Sequence, residues 1–386
     1  MQISVVILNY NVRYFLEQCV LSVQKALQNL DGEIIVVDNN SPDDSCTMIK
    51  QRFPNVKLIE NKENSGFPKG NNIGVAVAQG EYLCILNPDT VVAEDTFEKL
   101  LEFAKTKTNL GIVGCKLIDG TGNFLPESKR GIPTPFVAMA KISGLYKLFP
   151  KVPLFGKYYA QHLTENQTGK VDVLVGAFML MKRSLYNELS GFDEAFFMYG
   201  EDIDLSYRSL KSGNENYYFA GTTVIHYKGE STVKDRKYLE RFQTAMQLFY
   251  HKHFKVSFVF KVFMDFGAYV FSVVKMKKSD AKPRNIDAYC LFSNDVERAG
   301  EVENLLGKKV RLLDAATENN LNSPSGVAGK NVEIIFDNNS CSFRSIIELM
   351  QRHNNNQFTF KILPEKSRFL IGSNSSNDRG EVIRLS

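Results

Sequence analysis

Apolar and polar positions along the first ninety residues follow two periods in turn. Ile3 to Leu8 is a β-branched apolar run of the kind that forms a buried strand, followed by helical spacing from about Val12 to Leu30 and a second apolar run from Glu33 to Val37. The alternation continues with a helix around Ser45 to Phe53, a strand at Val56 to Ile59, a helix from about Gly70 to Ala78 and a strand at Tyr82 to Leu86. Short strands separated by helices of this length predict a mainly parallel sheet covered on both faces. Open sheets of this kind bind ligands outside the carboxyl ends of their strands. Three polar clusters fall just past such ends: Asn9-Tyr10-Asn11, Asp38-Asn39-Asn40-Ser41 and Asn87-Pro88-Asp89. Each alone reads as a turn, since Asn, Asp, Ser and Pro are turn formers. Three along one sheet edge predict a shared crevice.

The regular alternation stops at about Gly120. From there to Thr168 the chain carries five of its twelve prolines, Pro126, Pro133, Pro135, Pro150 and Pro153, which predicts a loop-rich stretch lying over the crevice. A strand pattern resumes at Val171 to Met181, with Gly176 in its middle, where a glycine marks close approach of a ligand or backbone. His251 to Lys278 has an amphipathic pattern, and about 285 to 386 reads as a small separate α/β unit. The expected organisation is a catalytic domain over 1–250, a helical segment over 251–284 and an accessory domain over 285–386.

Composition narrows the class. With 44% hydrophobic and 23% charged residues over 386 positions, the chain is of ordinary globular type and long enough for more than one core. A formal net charge of +4 spread over this length, with no nucleic-acid-binding module, argues against a nucleic-acid partner. The six cysteines are scattered and form no CxxC pair, which predicts neither a zinc site nor a disulfide scaffold and suits a reducing cytosol. The N-terminus runs straight into a strand pattern without a basic leader, so no signal peptide is expected.

Carboxylates carry the candidate chemistry. Asp89, just past a buried strand, is placed to meet a diphosphate; a hard divalent cation such as Mn or Mg needs only one or two carboxylates and takes its other ligands from water and phosphate oxygens. Glu201, Asp202 and Asp204 cluster at the start of a predicted helix behind the aromatic turn Phe196-Phe197-Met198-Tyr199. The helix dipole favours acidic residues there on its own, but a carboxylate beside an apolar wall can also deprotonate an acceptor hydroxyl as a general base. His226, just beyond a short predicted strand, is either a structural histidine or a nitrogen ligand complementing an aspartate on the same cation.

In this order, Val5-Val6-Ile7-Leu8-Asn9-Tyr10-Asn11, Val36-Val37-Asp38-Asn39-Asn40-Ser41, Asn64-Ser65-Gly66-Phe67-Pro68-Lys69-Gly70-Asn71-Asn72, Leu86-Asn87-Pro88-Asp89, Gly176-Ala177-Phe178, Gly191-Phe192-Asp193-Glu194, Glu201-Asp202-Ile203-Asp204 and His226 resemble the family 2 glycosyltransferases of the GT-A fold. The likeness is to the rhamnosyltransferase-like branch and covers about residues 1 to 250. It implies that Leu8, Tyr10 and Asp38 surround the base and ribose of a nucleotide-diphosphate sugar, with Asn71 and Asn87 completing the donor pocket. It further implies that Gly176 and Glu201 line the site, that Asp89 and His226 hold the divalent metal, and that Asp202 is the catalytic base. Asn87 stands where the longer metal-binding motif of the family has an aspartate.

From Val256 to Lys275 the chain is apolar nearly all round a helix, with Ser257, Lys261, Asp265, Ser272 and Lys275 on one narrow polar stripe and basic residues at both ends. Two readings compete: a helix lying in a membrane interface, which suits a lipid-linked glycan acceptor and a peripheral place on the inner face of the cell membrane, and a buried helix linking two domains. The C-terminal pattern faintly resembles the nucleotide-binding-like accessory domain of some polyprenyl-phosphate sugar-phosphate transferases, without a GxGxxG fingerprint; regulation or partner docking is its expected role, and oligomerisation stays open. Against transfer stand two other readings. A nucleotidyltransferase would need an early glycine- and arginine-rich phosphate loop that is absent, and a non-catalytic scaffold for sugar nucleotides or glycans would leave Asp89, Asp202 and His226 unexplained.

Overall fold

The computed structural model describes residues 1–142, 157–228, 236–254, 285–314, 331–354, 357–374 and 380–384. Its first part runs β1 (Ile3–Asn9), α1 (Arg13–Ala26), β2 (Gly32–Asp38), α2 (Ser45–Arg52), β3 (Lys57–Glu60), α3 (Gly66–Ala76) and β4 (Tyr82–Leu86). These are the expected elements, with α3 starting one turn earlier than the helical pattern indicates. The chain continues through β5 (Thr90–Val91), α4 (Thr96–Lys105), β6 (Leu110–Ile118), α5 (Pro135–Ile142), β7 (Gly169–Lys170), β8 (Phe178–Lys182), α6 (Arg183–Glu188), α7 (Glu201–Lys211), β9 (Glu215–His226) and α8 (Arg236–His253).

These strands form one sheet in the order β3-β2-β1-β4-β8-β6-β9-β5, with β7 paired to β9. Strands β3, β2, β1 and β4 are parallel neighbours; β8 runs against both β4 and β6, and β9 is again parallel to β6. The sheet is therefore mixed but mostly parallel, of the GT-A type. β1, β4 and β6 are buried at every position, so they read as continuous apolar runs rather than as alternation. Asn9 pairs with Asp38 in register, and β4 lies on the other side of β1. Three of the polar clusters thus open onto one edge, as the strand pattern predicts.

Two local expectations are corrected. The stretch Val171 to Met181 is not one strand: only Phe178–Lys182 joins the sheet, and Gly176 sits in the turn before it. His226 is not beyond a short strand but is the last residue of the twelve-residue β9, paired with Thr90. Both follow from the same fact, that apolar content does not reveal where a strand leaves its neighbours.

The second part comprises β10 (Ala288–Phe292), α9 (Val296–Leu306), β11 (Val310–Leu313), β12 (Val332–Asp337), α10 (Phe343–Arg352), β13 (Phe358–Leu363), β14 (Phe369–Gly372) and β15 (Glu381–Arg384), in a six-stranded sheet of order β11-β10-β12-β13-β14-β15. Its helices are capped locally: Asp295 accepts from the N–H groups of Glu297 and Arg298, and Ser342 from that of Ser345. α10 turns Phe343, Ile346, Ile347 and Met350 inward, and they belong to the same buried cluster as Val20 and Val91 of the first sheet's helical layer and edge. Glu94 accepts from the N–H groups of Phe343 and Arg344 at 2.8 and 2.9 Å, capping α10 from the other sheet's side. The two units thus share one core.

Most of the amphipathic segment expected at 251–284 lies outside the described residues. Its first residues end α8, where Lys252 and His253 meet Asp204 at 2.8 and 2.6 Å instead of facing outward. Among the described residues no helix is long and apolar enough to cross a membrane.

Candidate active site

The crevice edge begins at the ends of β1 and β2. Asn9 donates to Asp38 Oδ1 at 2.7 Å, and Ser41 returns to the same carboxylate with its hydroxyl at 2.6 Å and its backbone N–H at 2.8 Å. Asn11 and Asn40 take positive φ values of 57° and 61°, a conformation asparagine tolerates better than most residues, and so turn the chain sharply at both strand ends. Leu8 is buried against Gly70, where an added Cβ would come within 2.4 Å of the leucine side chain. Tyr10 is 37% exposed, free to stack on a flat ring. Asn71 is buried, donates to the carbonyl of Phe67 at 2.9 Å, and its Oδ1 meets no partner among the described residues.

The second corner joins β4 to β9. Asp89 and His226 are both buried, and His226 Nε2 lies 3.4 Å from Asp89 Oδ1 and 3.4 Å from Asn87 Nδ2. Two atoms that ligate one ion at about 2.1 Å and at right angles stand about 3 Å apart, so this separation suits a shared divalent cation. His226 Nδ1 is buried with no hydrogen-bond partner among the described residues, and no Lys or Arg pairs with Asp89 there. Asp89 and His226 are a pair, since no cluster of three potential ligands occurs among the described residues. Phosphate oxygens and water would supply the rest of the shell, as magnesium-like ions prefer.

The third corner is built around α7. Tyr199 and Gly200 both have positive φ, 72° and 81°, and this doubled left-handed turn delivers Glu201 and Asp202 into the first turn of the helix. Asp202 Oδ2 accepts from Arg130 at 2.5 Å and from the backbone N–H of Gly176 at 3.1 Å. Burial pulls the Arg130 guanidinium down, and the charge and hydrogen bond of Asp202 together with Tyr158 and Glu127 more than offset this, holding it above its ordinary value. Glu201 is buried, its Oε2 has no partner among the described residues, and burial followed by the charge of Asp202 pushes its carboxyl up to about 8. Glu201 therefore keeps its proton at neutral pH beside Asp202. The turn at 176–177 ties the second and third corners, since Ala177 accepts from Asn87 N–H at 3.0 Å while Gly176 N–H holds Asp202.

Asp204, read together with its two neighbours from the sequence, has a different setting. Fully buried, it binds Arg208 at 2.7 Å together with Lys252 and His253, and so fastens α8 to α7. Two residues that the sequence pattern did not single out prove central. Arg130, in the loop-rich stretch, carries no local signal because its partner is 72 residues away. Asn72 clamps the 191–194 turn through the Phe192 carbonyl, Glu194 and the Phe192 N–H, and its own motif hinted at this.

The mixed α/β sheet gathers acidic residues and asparagines at its carboxyl edge, and the comparisons assign the chemistry to a glycosyltransferase. Residues 4–190 match the family model described as Glycosyl transferase family 2. Over 246 residues it is 28% identical to the N-acetylglucosaminyl-diphospho-decaprenol L-rhamnosyltransferase of Mycobacterium tuberculosis, covering 60% of this chain and 78% of that one. The rhamnosyltransferase WbbL of Escherichia coli is 28% identical over 221 residues, covering 53% and 78%. Among solved structures, the mannosyltransferase PcManGT from Pyrobaculum calidifontis, in complex with GDP-Man and Mn2+, aligns with a TM-score of 0.45 at 16% identity over 72% of this chain and 76% of that one.

Proposed function

We propose that the protein transfers a hexose or 6-deoxyhexose from a nucleotide-diphosphate sugar to a hydroxyl of a lipid-linked glycan, with inversion, during cell-surface polysaccharide synthesis. Two rhamnosyltransferase relatives, one of them named for a diphospho-decaprenol substrate, support the acceptor class and the sugar class. In this reading Asp202 takes the proton from the acceptor hydroxyl, and the oxygen attacks the anomeric carbon on the face opposite the diphosphate. One displacement inverts the centre. Leu8, Tyr10 and Asp38 receive the nucleoside, with Asn71 and Asn87 completing the donor pocket. Asp89 and His226 would hold a Mn or Mg ion, which supplies neutralising charge for the leaving diphosphate. Gly176 orients the base through its N–H, and Glu201, protonated at neutral pH, leaves the negative charge to Asp202.

The observation that carries this assignment is the pairing of Asp202 with Arg130 and the Gly176 N–H. Both fix the carboxylate in one orientation, the placement a base needs before it acts. A peripheral site on the inner membrane face goes with the lipid-linked acceptor, and the domain limits 1–250, 251–284 and 285–386 go with a catalytic unit followed by a membrane-facing segment and an accessory unit. The deciding experiment is a donor screen by thermal shift with manganese or magnesium, followed by transfer with the stabilising donor. A chain that is stabilised by no sugar nucleotide, with either metal, is not this enzyme.

A further inference from the structure

Between the two units lies a cavity of about 400 Å3, within the range of small-ligand sites. Its walls are the first turns of α1, the helix α2 with the residue before it, the turn after β13 and the end of β15. Five basic side chains line it: Arg13, Arg52, Lys366, Arg368 and Arg384. Against them stand only Glu17 and Asp44, which gives the lining a formal charge of +3.

Glu17 is buried and already shared by Arg13 and Arg52. Burial, and next the charge of Arg13, hold the Arg52 guanidinium below its ordinary value. Arg13 Nε is buried and makes no hydrogen bond among the described residues, with Asp44 Oδ2 at 3.4 Å. Tyr14 and Phe369 meet edge-on at 4.8 Å, and the guanidiniums of Arg13 and Arg384 lie 4.3 and 5.1 Å over the Tyr14 ring, so planar cations converge on an aromatic floor. The cavity also sits at the carboxyl end of β13, the side of an open α/β sheet where ligands bind.

We infer that this seam is a second anion site, distinct from the donor crevice, that takes a phosphate or diphosphate group on the guanidiniums of Arg13, Arg368 and Arg384. Arginine forks bind oxygens two at a time, and three converging guanidiniums suit a group that presents three or more oxygens, as a phosphate does and a single carboxylate does not. The site is wired to the crevice. Arg13 N–H donates to Asp43 at 3.0 Å and Asn11 N–H to Ser41 at 2.9 Å, so the 41–44 loop has Asp38 on one side and the cavity on the other. A ligand bound in the seam biases that loop and hence the donor affinity. None of this depends on the roles proposed for Asp89 and Asp202.

The test is calorimetry of the full chain with inorganic pyrophosphate in the presence of a metal chelator. Arg368 and Arg384 are exposed, so the R368Q/R384Q variant keeps the fold, which an unchanged Tm checks. Pyrophosphate affinity should fall at least tenfold in this variant and stay within twofold in H226Q, which alters the diphosphate corner of the donor crevice and leaves the 41–44 loop untouched. Equal affinity in the arginine variant overturns the site, and so does loss in H226Q, which would move the binding to the donor crevice. Vesicles of phosphatidylcholine with phosphatidic acid form the second arm. Retention lost in R368Q/R384Q assigns the phosphate to a lipid headgroup, and retention unchanged with pyrophosphate binding lost assigns it to a soluble ligand. Failure of the parent chain to bind either probe removes the proposal.

Discussion

Two buried aspartates stand at the two ends of the same crevice and are treated in opposite ways. Asp89 faces a histidine and an asparagine, and no Lys or Arg pairs with it among the described residues. Asp202 is held by the Arg130 guanidinium and a backbone N–H. A buried carboxylate without a cation is costly unless something charged arrives, so the Asp89 corner is suited to an incoming metal and diphosphate. A carboxylate already neutralised by Arg130 has no need of a metal, and its free lone pairs can accept a proton. Neighbouring acids thus acquire different jobs from the company each keeps.

The largest effect that would sharpen this contrast is expected at Asp202. D202N should lower transfer by about 1000-fold, the scale of a general base, while nucleotide affinity stays within about twofold by calorimetry. A parallel loss of nucleotide binding would break the separation of roles. D89A should do the reverse at the other corner, weakening manganese-dependent nucleotide binding by at least about tenfold, which is about 1.4 kcal/mol, and leaving metal-free binding unaltered.

A pH titration addresses the Asp202 corner without disturbing it. The Glu201 carboxyl is raised from 4.5 to about 8, so between these values the folded protein binds one proton more than the unfolded chain. Its contribution to stability is complete below about pH 4.5 and is lost as pH rises toward 8, by up to about 1.4 kcal/mol per pH unit. E201Q should flatten the fall of Tm over that window; an identical slope in the variant would mean that another group titrates there. The smallest change is expected from H226Q, a few-fold rise in the manganese concentration giving half-maximal nucleotide binding, because Asp89 and the diphosphate retain most of the shell. An H226Q effect larger than that of D89A would invert the ranking of the two ligands.

Legibility differed along the crevice for a physical reason. The loops after β1, β2 and β4 follow strands whose apolar runs are visible, so Asn9, Asp38 and Asp89 could be placed on one edge from pattern alone. The acidic start of α7 was visible too, but Asp204 could not be told from Asp202: at two residues' spacing the two point to different sides of the helix, one toward Lys252 and His253 and the other toward Arg130. Gly176 was found for its lack of a side chain, yet its role as a backbone donor depends on the turn in which it lies.

The chain's own periodicity decided the order of elements, the parallel half of the sheet and the edge where polar residues collect, because these depend on spacing within a few turns. What packing alone decided is the pairing of residues far apart: His226 with Asp89, Arg130 with Asp202, and Glu94 with the first turn of α10. The seam between the units belongs to the same class. Arg13, Arg52 and Arg384 are unremarkable cations in three separate stretches, and only the docking of the second sheet against α1 and α2 gathers their charge around one cavity. A local pattern records which face of an element is buried; it carries no record of the surface that comes to lie against it.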